Sequence, residues 1–189
     1  MIIISRLDCL VNNAGWHPHA KPIDEFSLDD AKYLFSLNLL SAWYMCKLSV
    51  PHLRKTKGNI INISSLSGYF GQAGSSTYCA TKGGLTAMTK SIAIDEAAHD
   101  VRANTVSPGN VWTPLWEEHV QGPTADQDIQ NGRDCQLLGR MGTLEEVGEV
   151  CLHLATSQFT TGHEYLMTGG AELGYARKTR KGSGTSIFG

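Results

Sequence analysis

A tyrosine and a lysine four residues apart, with a serine upstream, carry the groups needed to move a proton to or from an alcohol. On a helix, Tyr78 and Lys82 would lie on the same face. An ammonium beside a phenol favours the phenolate, so we expect Lys82 to lower the pKa of Tyr78 from its reference value of about 10. Tyr78 could then act as an acid or a base near neutral pH. Ser65, just past a predicted strand, could donate a hydrogen bond to a substrate oxygen that gains negative charge.

The elements that would position these residues alternate between strand and helix. Short apolar runs predict strands over residues 7–11, 59–63, 101–107 and 162–168. Helical patterns cover residues 27–57 and 76–98, and Thr143 with Glu146 forms a capping box for a helix that ends near residue 155. This alternation predicts an α/β fold, in which helices cover both faces of a parallel sheet.

Three of the predicted strands end in segments that could contact a ligand: Asn12-Asn-Ala-Gly15, Ser64-Ser65 and Pro108-Gly109. Ligands of parallel α/β sheets bind beyond the carboxyl ends of the strands. Residues 110–142 have no clear periodicity and predict a long loop with short helical pieces, and loops of that length are usually functional. The sequence therefore predicts one ligand site at this edge of the sheet.

The composition indicates one globular domain and argues against several kinds of partner. The 189 residues are 41% hydrophobic with a net charge of −2, which does not suit a nucleic-acid-binding protein. The five cysteines are scattered without zinc-ligand spacing, which predicts reduced thiols in a cytosolic protein and no bound metal. No apolar run reaches the roughly 18 residues of a membrane span. Basic residues cluster in a Gly/Ser-rich end that we expect to be a solvated, mobile tail: Arg177, Lys178, Arg180 and Lys181.

The Tyr-x-x-x-Lys pattern alone is weak evidence, because a half-buried tyrosine and a solvated lysine on one helix face would give it too. Three further features accompany it: Asn12-Asn-Ala-Gly15, a serine thirteen residues before Tyr78, and Ser107-Pro-Gly-Asn-Val-Trp-Thr113. In this order and spacing, the motifs resemble those of the short-chain dehydrogenases/reductases over about residues 6–170. The resemblance implies a Rossmann-type doubly wound parallel sheet and an oxidoreductase that uses NAD.

The resemblance also implies a role for each matching residue. Tyr78 would take a proton from an alcohol or give one to a ketone, and Lys82 would lower its pKa and hold the nicotinamide ribose. Ser65 would orient the substrate oxygen. Asn38 would anchor a water in the proton relay, or it is simply a polar residue inside a helix. Beyond Tyr78 and Lys82, the implied cofactor contacts are Asn13, Ala14 and Gly15 on the adenosine side, and Pro108, Gly109, Val111 and Thr113 at the nicotinamide carboxamide end.

Longer matching segments bear on the substrate: GNIINISSLSG, SPGNVWTPLWEE and TGGAELGY. They resemble members of the family that oxidise the 17β-hydroxyl of steroids such as estradiol and that are cytosolic tetramers. The resemblance therefore implies a steroid substrate and a homo-oligomer. Similar members are L-fucose dehydrogenases, so a sugar is the alternative substrate. His17, Gln72 and Trp116 would contact the substrate, or His17 and Gln72 are ordinary surface residues and the tryptophan closes the loop onto the core.

One signature of the family has no match in this sequence, the glycine-rich turn Thr-Gly-x-x-x-Gly-x-Gly after the first strand. The acidic residue that would set NAD over NADP at the end of a second strand has no match either. We therefore expect an N-terminally truncated Rossmann domain over residues 1–170, without the first βαβαβ part, and a C-terminal tail over 171–189. The strand at 7–11 would become an exposed apolar edge. The alternative to an active dehydrogenase is an inactive fragment that only associates with full-length relatives.

Overall fold

The sheet consists of four parallel strands in the part of the chain that the computed structural model describes, residues 6–173. Their spatial order follows the chain: β1 (Cys9–Asn12), β2 (Asn59–Ile63), β3 (Arg102–Pro108) and β4 (Glu164–Met167). Each lies within about two residues of a predicted strand, so the predicted sheet is confirmed. Residues 1–5 and the predicted basic tail at Arg177, Lys178, Arg180 and Lys181 lie outside the described residues.

Helices connect the strands, as the alternating pattern predicts. They are α1 (Leu28–Phe35), α2 (Ser41–Thr56), α3 (Leu66–Phe70), α4 (Ser76–Glu96), α5 (Pro114–His119), α6 (Ala125–Asp134) and α7 (Leu144–Thr156). The capping box predicted at Thr143 begins α7. Between residues 6 and 173, none of the helices is long and apolar enough to cross a membrane.

Both faces of the sheet are covered by helices. On one face, Ile60 packs in a buried cluster with Cys46 and Leu53 of α2. On the other face, its neighbour Ile61 packs with Leu154 of α7. Successive side chains of a strand point to opposite faces, so one short strand holds both layers of helices in place. The fold is therefore an α/β Rossmann-like fold with a doubly covered parallel sheet.

The helix predicted over residues 27–57 contains a π-helical turn, Ser36–Leu40, between α1 and α2. Asn38 lies in this turn and is almost fully buried. Its side chain accepts a hydrogen bond from the backbone N–H of Trp16 and donates one to the carbonyl of the same residue, both at 2.8 Å. The loop after β1 is thereby fixed to the helix, and wide turns of this kind are frequent at functional sites.

β1 lies at the edge of the sheet among the described residues, where it pairs with β2. Val11 in this strand is 47% exposed. The strand therefore presents apolar surface at an edge, as the sequence predicts.

The close packing of α3 on α4 gives a prediction about stability. A Cβ added at Gly68 would lie 2.8 Å from the backbone nitrogen of Gly83 and 2.9 Å from the Cβ of Lys82. Gly68→Ala must separate the two helices, so we expect it to destabilise the protein by about 1–3 kcal/mol. Urea unfolding measures the change.

Gly148→Ala in α7 is the matched control, because an added Cβ there meets nothing within 4 Å. The control should gain roughly 0.5–1 kcal/mol from helix propensity. Equal stability of the two variants would contradict the packing of α3 on α4.

Candidate active site

The carboxyl ends of β1, β2 and β3 open into a cavity of about 730 Å³, within the usual size range of small-molecule sites. All but two of the sequence-predicted site residues line it: Asn13, Gly15, His17, Ser65, Gln72, Tyr78, Lys82, Pro108, Gly109, Val111, Thr113 and Trp116. The two that do not are Ala14 and Asn38. Residues far apart in the sequence thus converge at the predicted edge of the sheet.

Ser65 and Tyr78 meet because each stands at the start of a helix. Ser65 is the N-cap of α3, where its hydroxyl accepts a hydrogen bond from the backbone N–H of Ser67 at 3.2 Å. Tyr78 lies in the first turn of α4, close enough to Ser65 for the serine side chain to lower the pKa of the phenol. The two hydroxyls form a polar pair in the cavity wall, in a position to contact one oxygen atom of a ligand.

Lys82 lies one helical turn beyond Tyr78 and is 4% exposed. Its ammonium donates a hydrogen bond to the carbonyl of Ile63 at 2.9 Å and lies 5.8 Å from the centre of the Tyr78 ring. Burial lowers the pKa of Lys82 from 10.5 to about 8. The ammonium is therefore mostly charged at neutral pH, but it is held in a poorly solvated position.

The prediction that the pKa of Tyr78 is lowered is wrong for this arrangement. Burial raises the pKa of Tyr78 above 10, and the hydrogen bond with Ser65 opposes that rise only in part. The sequence shows the spacing of the two residues but not the loss of solvent around the phenol, which dominates here. With these surroundings Tyr78 is mostly a protonated phenol at neutral pH, so the phenolate that would take a proton from an alcohol is the minor form.

Asn38 acts on the site through the backbone. Besides its two bonds to Trp16, its amide donates a hydrogen bond to the hydroxyl of Thr81 in α4 at 3.3 Å. The side chain thus ties the loop after β1 to the helix that carries Tyr78 and Lys82. The predicted anchoring of a water by Asn38 stays a prediction, as does the proton relay.

Two glycines of the cavity wall lie where a side chain would crowd neighbouring protein atoms. A Cβ at Gly15 would lie 3.2 Å from the ammonium of Lys82 and 3.3 Å from the side-chain oxygen of Asn38. A Cβ at Gly109 would lie 2.7 Å from the side-chain oxygen of Gln136. Side chains at these two places would crowd the cavity wall, so both glycines leave room for a flat ligand such as a dinucleotide, which the sequence places with its adenosine side at Gly15 and its nicotinamide end at Gly109.

Helix α5 closes another side of the cavity. It begins at Thr113, whose hydroxyl accepts a hydrogen bond from the backbone N–H of Trp116 at 3.2 Å. A Cβ added at Gly132 of α6 would lie 2.8 Å from the Trp116 ring, so this ring also packs against α6. Trp116 therefore lines the cavity and closes the loop, and the two interpretations offered by the sequence are compatible.

His17 lies directly against the catalytic candidate, with 4.1 Å between the centres of its ring and the Tyr78 ring. Its Nδ1 is 2.6 Å from the carbonyl oxygen of Pro18. Burial lowers the pKa of His17, which favours a neutral ring. A neutral imidazole beside the phenol offers a ligand a hydrogen-bonding group without a charge.

His119 is a cavity residue that the sequence analysis missed. It lies at the last position of α5, and its ring centre is 6.0 Å from that of His17 and 4.5 Å from that of His19. The available signal was its spacing from Trp116, since residues three apart on a helix share a face. That signal is weak until the region is known to be helical.

The motifs and the fold agree with a comparison against protein families. The family model described as "Enoyl-(Acyl carrier protein) reductase" matches residues 3–172. This chain belongs to the short-chain dehydrogenase/reductase family. The family membership accounts for the joint occurrence of Ser65, Tyr78 and Lys82 at the end of a parallel sheet.

Curated relatives within the family are similar over almost the whole chain. L-fucose dehydrogenase of Mus musculus is 53% identical over 181 residues, 94% of this chain and 66% of the relative. L-fucose dehydrogenase of Rattus norvegicus is 54% identical over 176 residues, 92% of this chain and 65% of the relative. The chain therefore spans slightly less than two thirds of the length of these relatives.

Solved structures of family members have the same fold. ElxO with NADP bound has a TM-score of 0.82 and 28% identity, with 90% of this chain and 69% of that chain covered. The Cj0485 dehydrogenase has a TM-score of 0.82 and 30% identity, with 88% of this chain and 65% of that chain covered. A nicotinamide dinucleotide thus occupies one of these neighbours.

The comparisons do not support the expected resemblance to a steroid enzyme, 17β-hydroxysteroid dehydrogenase type 14. Relatives with more than half of their aligned residues identical to this chain are named L-fucose dehydrogenases. Segments such as SPGNVWTPLWEE carry the family's cofactor-side motifs, and these do not determine which alcohol enters the cavity. The sugar alternative is therefore better supported than the steroid interpretation.

Proposed function

We propose that this protein is an NAD-dependent dehydrogenase that oxidises a hydroxyl group of L-fucose or a closely similar sugar. The observation that carries the proposal is a cavity lined by the Ser65–Tyr78–Lys82 group and also by imidazoles, with the His17 ring centre 4.1 Å from that of Tyr78. Polar groups of this kind suit a ligand with several hydroxyls. The similarity to L-fucose dehydrogenases supports the same substrate class.

The side chains divide the work at the reacting oxygen. Ser65 donates a hydrogen bond that orients the substrate hydroxyl, and the phenolate form of Tyr78 takes the proton from that hydroxyl. Lys82 supplies a fixed positive charge behind the ring, which stabilises this phenolate before it takes up the proton. Asn38 holds the loop after β1 in a fixed position against helix α4, so that the cavity stays formed during the reaction.

A nicotinamide cofactor bound in this cavity would supply the acceptor for the hydride that leaves the substrate carbon. In this proposal Pro108, Gly109, Val111 and Thr113 would hold its nicotinamide carboxamide end, and Lys82 would hold its ribose. Asn13, Ala14 and Gly15 would line its adenosine side. NAD is the cofactor implied by the resemblance, whereas the ElxO neighbour has NADP bound. Assays with both cofactors therefore belong to any test of the proposal.

The proposal predicts a preference between two alcohols. We expect NADH to form from L-fucose, with a kcat/KM at least tenfold above that for estradiol, because unpaired polar groups in a site reject a ligand that cannot satisfy them. Absorbance at 340 nm gives the rates for the 189-residue chain. The same assay is run on a chain with the glycine-rich βαβ segment of a family member joined before Arg6.

The same assay can contradict the proposal. A higher kcat/KM for estradiol than for L-fucose in the same protein would overturn the sugar substrate in favour of a steroid. Reduction of NADP with no reduction of NAD would overturn the cofactor while leaving the substrate class standing. Cyclohexanol, which has a single hydroxyl, serves as the simple alcohol against which both rates are compared.

A further inference from the structure

One nitrogen in the cavity wall has no hydrogen-bond partner. His119 lines the cavity, yet its Nε2 is shielded from solvent and unpaired. A buried polar atom without a partner costs free energy, and such atoms in a folded protein commonly mark a place where another group binds. The other ring nitrogen of the same residue lies within hydrogen-bond distance of a carbonyl oxygen, so Nε2 is the one ring nitrogen left without a partner.

The protonation pattern of His119 follows from that other nitrogen. Nδ1 lies 2.7 Å from the carbonyl oxygen of Leu115. A carbonyl can only accept, so Nδ1 carries the proton and donates it. In the neutral ring Nε2 is then a bare lone pair, which can only accept a hydrogen bond. The partner that this atom lacks is therefore a donor, and a hydroxyl is a donor of suitable size.

The surroundings of His119 favour a ligand hydroxyl over a metal ion. Its ring lies against His17 on the side of Tyr78 and against His19, a largely exposed residue. Within residues 6–173, no three histidine, cysteine or acidic side chains are arranged to hold a metal. An exposed ring such as that of His19 can turn aside without disturbing the core, which would give a ligand access to Nε2.

We propose that Nε2 of His119 accepts a hydrogen bond from a second hydroxyl of the substrate, one that is not being oxidised. His119 is then a specificity-determining residue that selects polyhydroxylated substrates over alcohols with one hydroxyl. The inference rests on the proposed function, because it assumes that the alcohol oxidised at Tyr78 belongs to a sugar. It adds a second residue of α5, besides Trp116, to the substrate contacts implied by the sequence.

The test uses nuclear magnetic resonance on the 189-residue chain labelled with ¹⁵N-histidine, at pH 8. L-fucose and cyclohexanol are added in separate titrations, and His119→Asn identifies the signals of residue 119. We expect L-fucose to shift the Nε2 resonance of His119 and cyclohexanol to leave it in place. The signal of His17, which also lines the cavity, reports binding in every variant.

Two substitutions separate the roles of the two nitrogens. His119→Asn keeps a donor near the carbonyl of Leu115 and removes the group at Nε2, whereas His119→Gln places an amide oxygen near the Nε2 position. We expect the affinity for L-fucose relative to cyclohexanol to fall about tenfold in the first variant and to recover in part in the second. His52→Asn on the exposed surface of α2 is the matched control.

The outcomes distinguish this inference from the proposed function. If L-fucose shifts His17 but leaves Nε2 of His119 in place, the inference is wrong and the proposed function stands. The inference is also wrong if His119→Asn and His52→Asn have the same relative affinity. If L-fucose shifts neither histidine while cyclohexanol shifts His17, both the inference and the sugar substrate are wrong.

Discussion

Tyr78→Phe is expected to remove the oxidation of L-fucose while the protein keeps its fold. The substitution deletes one hydroxyl, the group that exchanges a proton with the substrate oxygen, and general acid–base catalysis of this kind contributes roughly 10²–10⁴-fold to the rate. The aromatic ring stays in place against His17, at a distance of 4.1 Å between ring centres. The cavity should therefore keep its shape, and kcat should fall far more than affinity for the sugar.

The measurement is kcat and KM for L-fucose with NAD, in the proteins used for the substrate comparison. Tyr44→Phe is the matched control, because Tyr44 lies on α2 and is 54% exposed. We expect the control to retain the wild-type rate. A Tyr78→Phe variant with more than about a tenth of the wild-type kcat would contradict the role of Tyr78 as the group that carries the proton.

Lys82→Met is expected to stabilise the protein and to inactivate it. Holding the ammonium in a buried position lowers its pKa from 10.5 to about 8, a cost of about 3 kcal/mol at neutral pH. Methionine is similar in length and carries no charge, so this cost disappears. Loss of the hydrogen bond to the carbonyl of Ile63 reduces this gain in stability by about 1 kcal/mol. A net gain of about 2 kcal/mol should therefore remain.

The sign of this effect depends on pH in a defined way. Below about pH 8, Lys82 is protonated in the folded and the unfolded chain, and the folded chain bears the full cost of burying the charge. Between about pH 8 and 10.5 the unfolded chain keeps the proton and the folded chain releases it, so wild-type stability rises with pH. The advantage of Lys82→Met should therefore shrink over this range.

Urea unfolding at pH 7 and at pH 10 measures the difference between Lys82→Met and the wild type. Lys55→Met, on the exposed surface of α2, is the control and should change stability by no more than about 0.5 kcal/mol. A destabilised Lys82→Met variant at pH 7, or an advantage that grows with pH, would show that the buried ammonium is not a cost to the fold. Full activity of the variant would refute the catalytic role of Lys82.

The local sequence carries enough information to predict the sheet and the meeting of Ser65, Tyr78 and Lys82 in one cavity. Apolar runs bounded by Gly, Pro and Asn determine the strands, and the spacing of Tyr78 and Lys82 fixes their common helix face. Ser65 could be assigned because the end of a parallel strand is where a ligand binds. These features depend on residues that are near one another in the sequence.

The features that could not be predicted depend on contacts between distant segments. The π-helical turn around Asn38 follows from hydrogen bonds to Trp16, 22 residues earlier in the chain. The raised pKa of Tyr78 follows from burial, which the spacing of Tyr78 and Lys82 does not reveal. His119 becomes a site residue only because α5 closes over His17. In the proposed function, the substrate class also depends on this cavity wall rather than on the family motifs.

The transfer of a hydrogen label from substrate to cofactor tests the central claim most directly. L-fucose deuterated at every ring carbon is incubated with NAD and the protein that carries the glycine-rich segment before Arg6, and the reduced cofactor is analysed by mass spectrometry. The account predicts reduced cofactor that is one mass unit heavier than that obtained with unlabelled L-fucose, and none in Tyr78→Phe. Reduced cofactor without the label, or no reduced cofactor from the wild-type sequence, would contradict it.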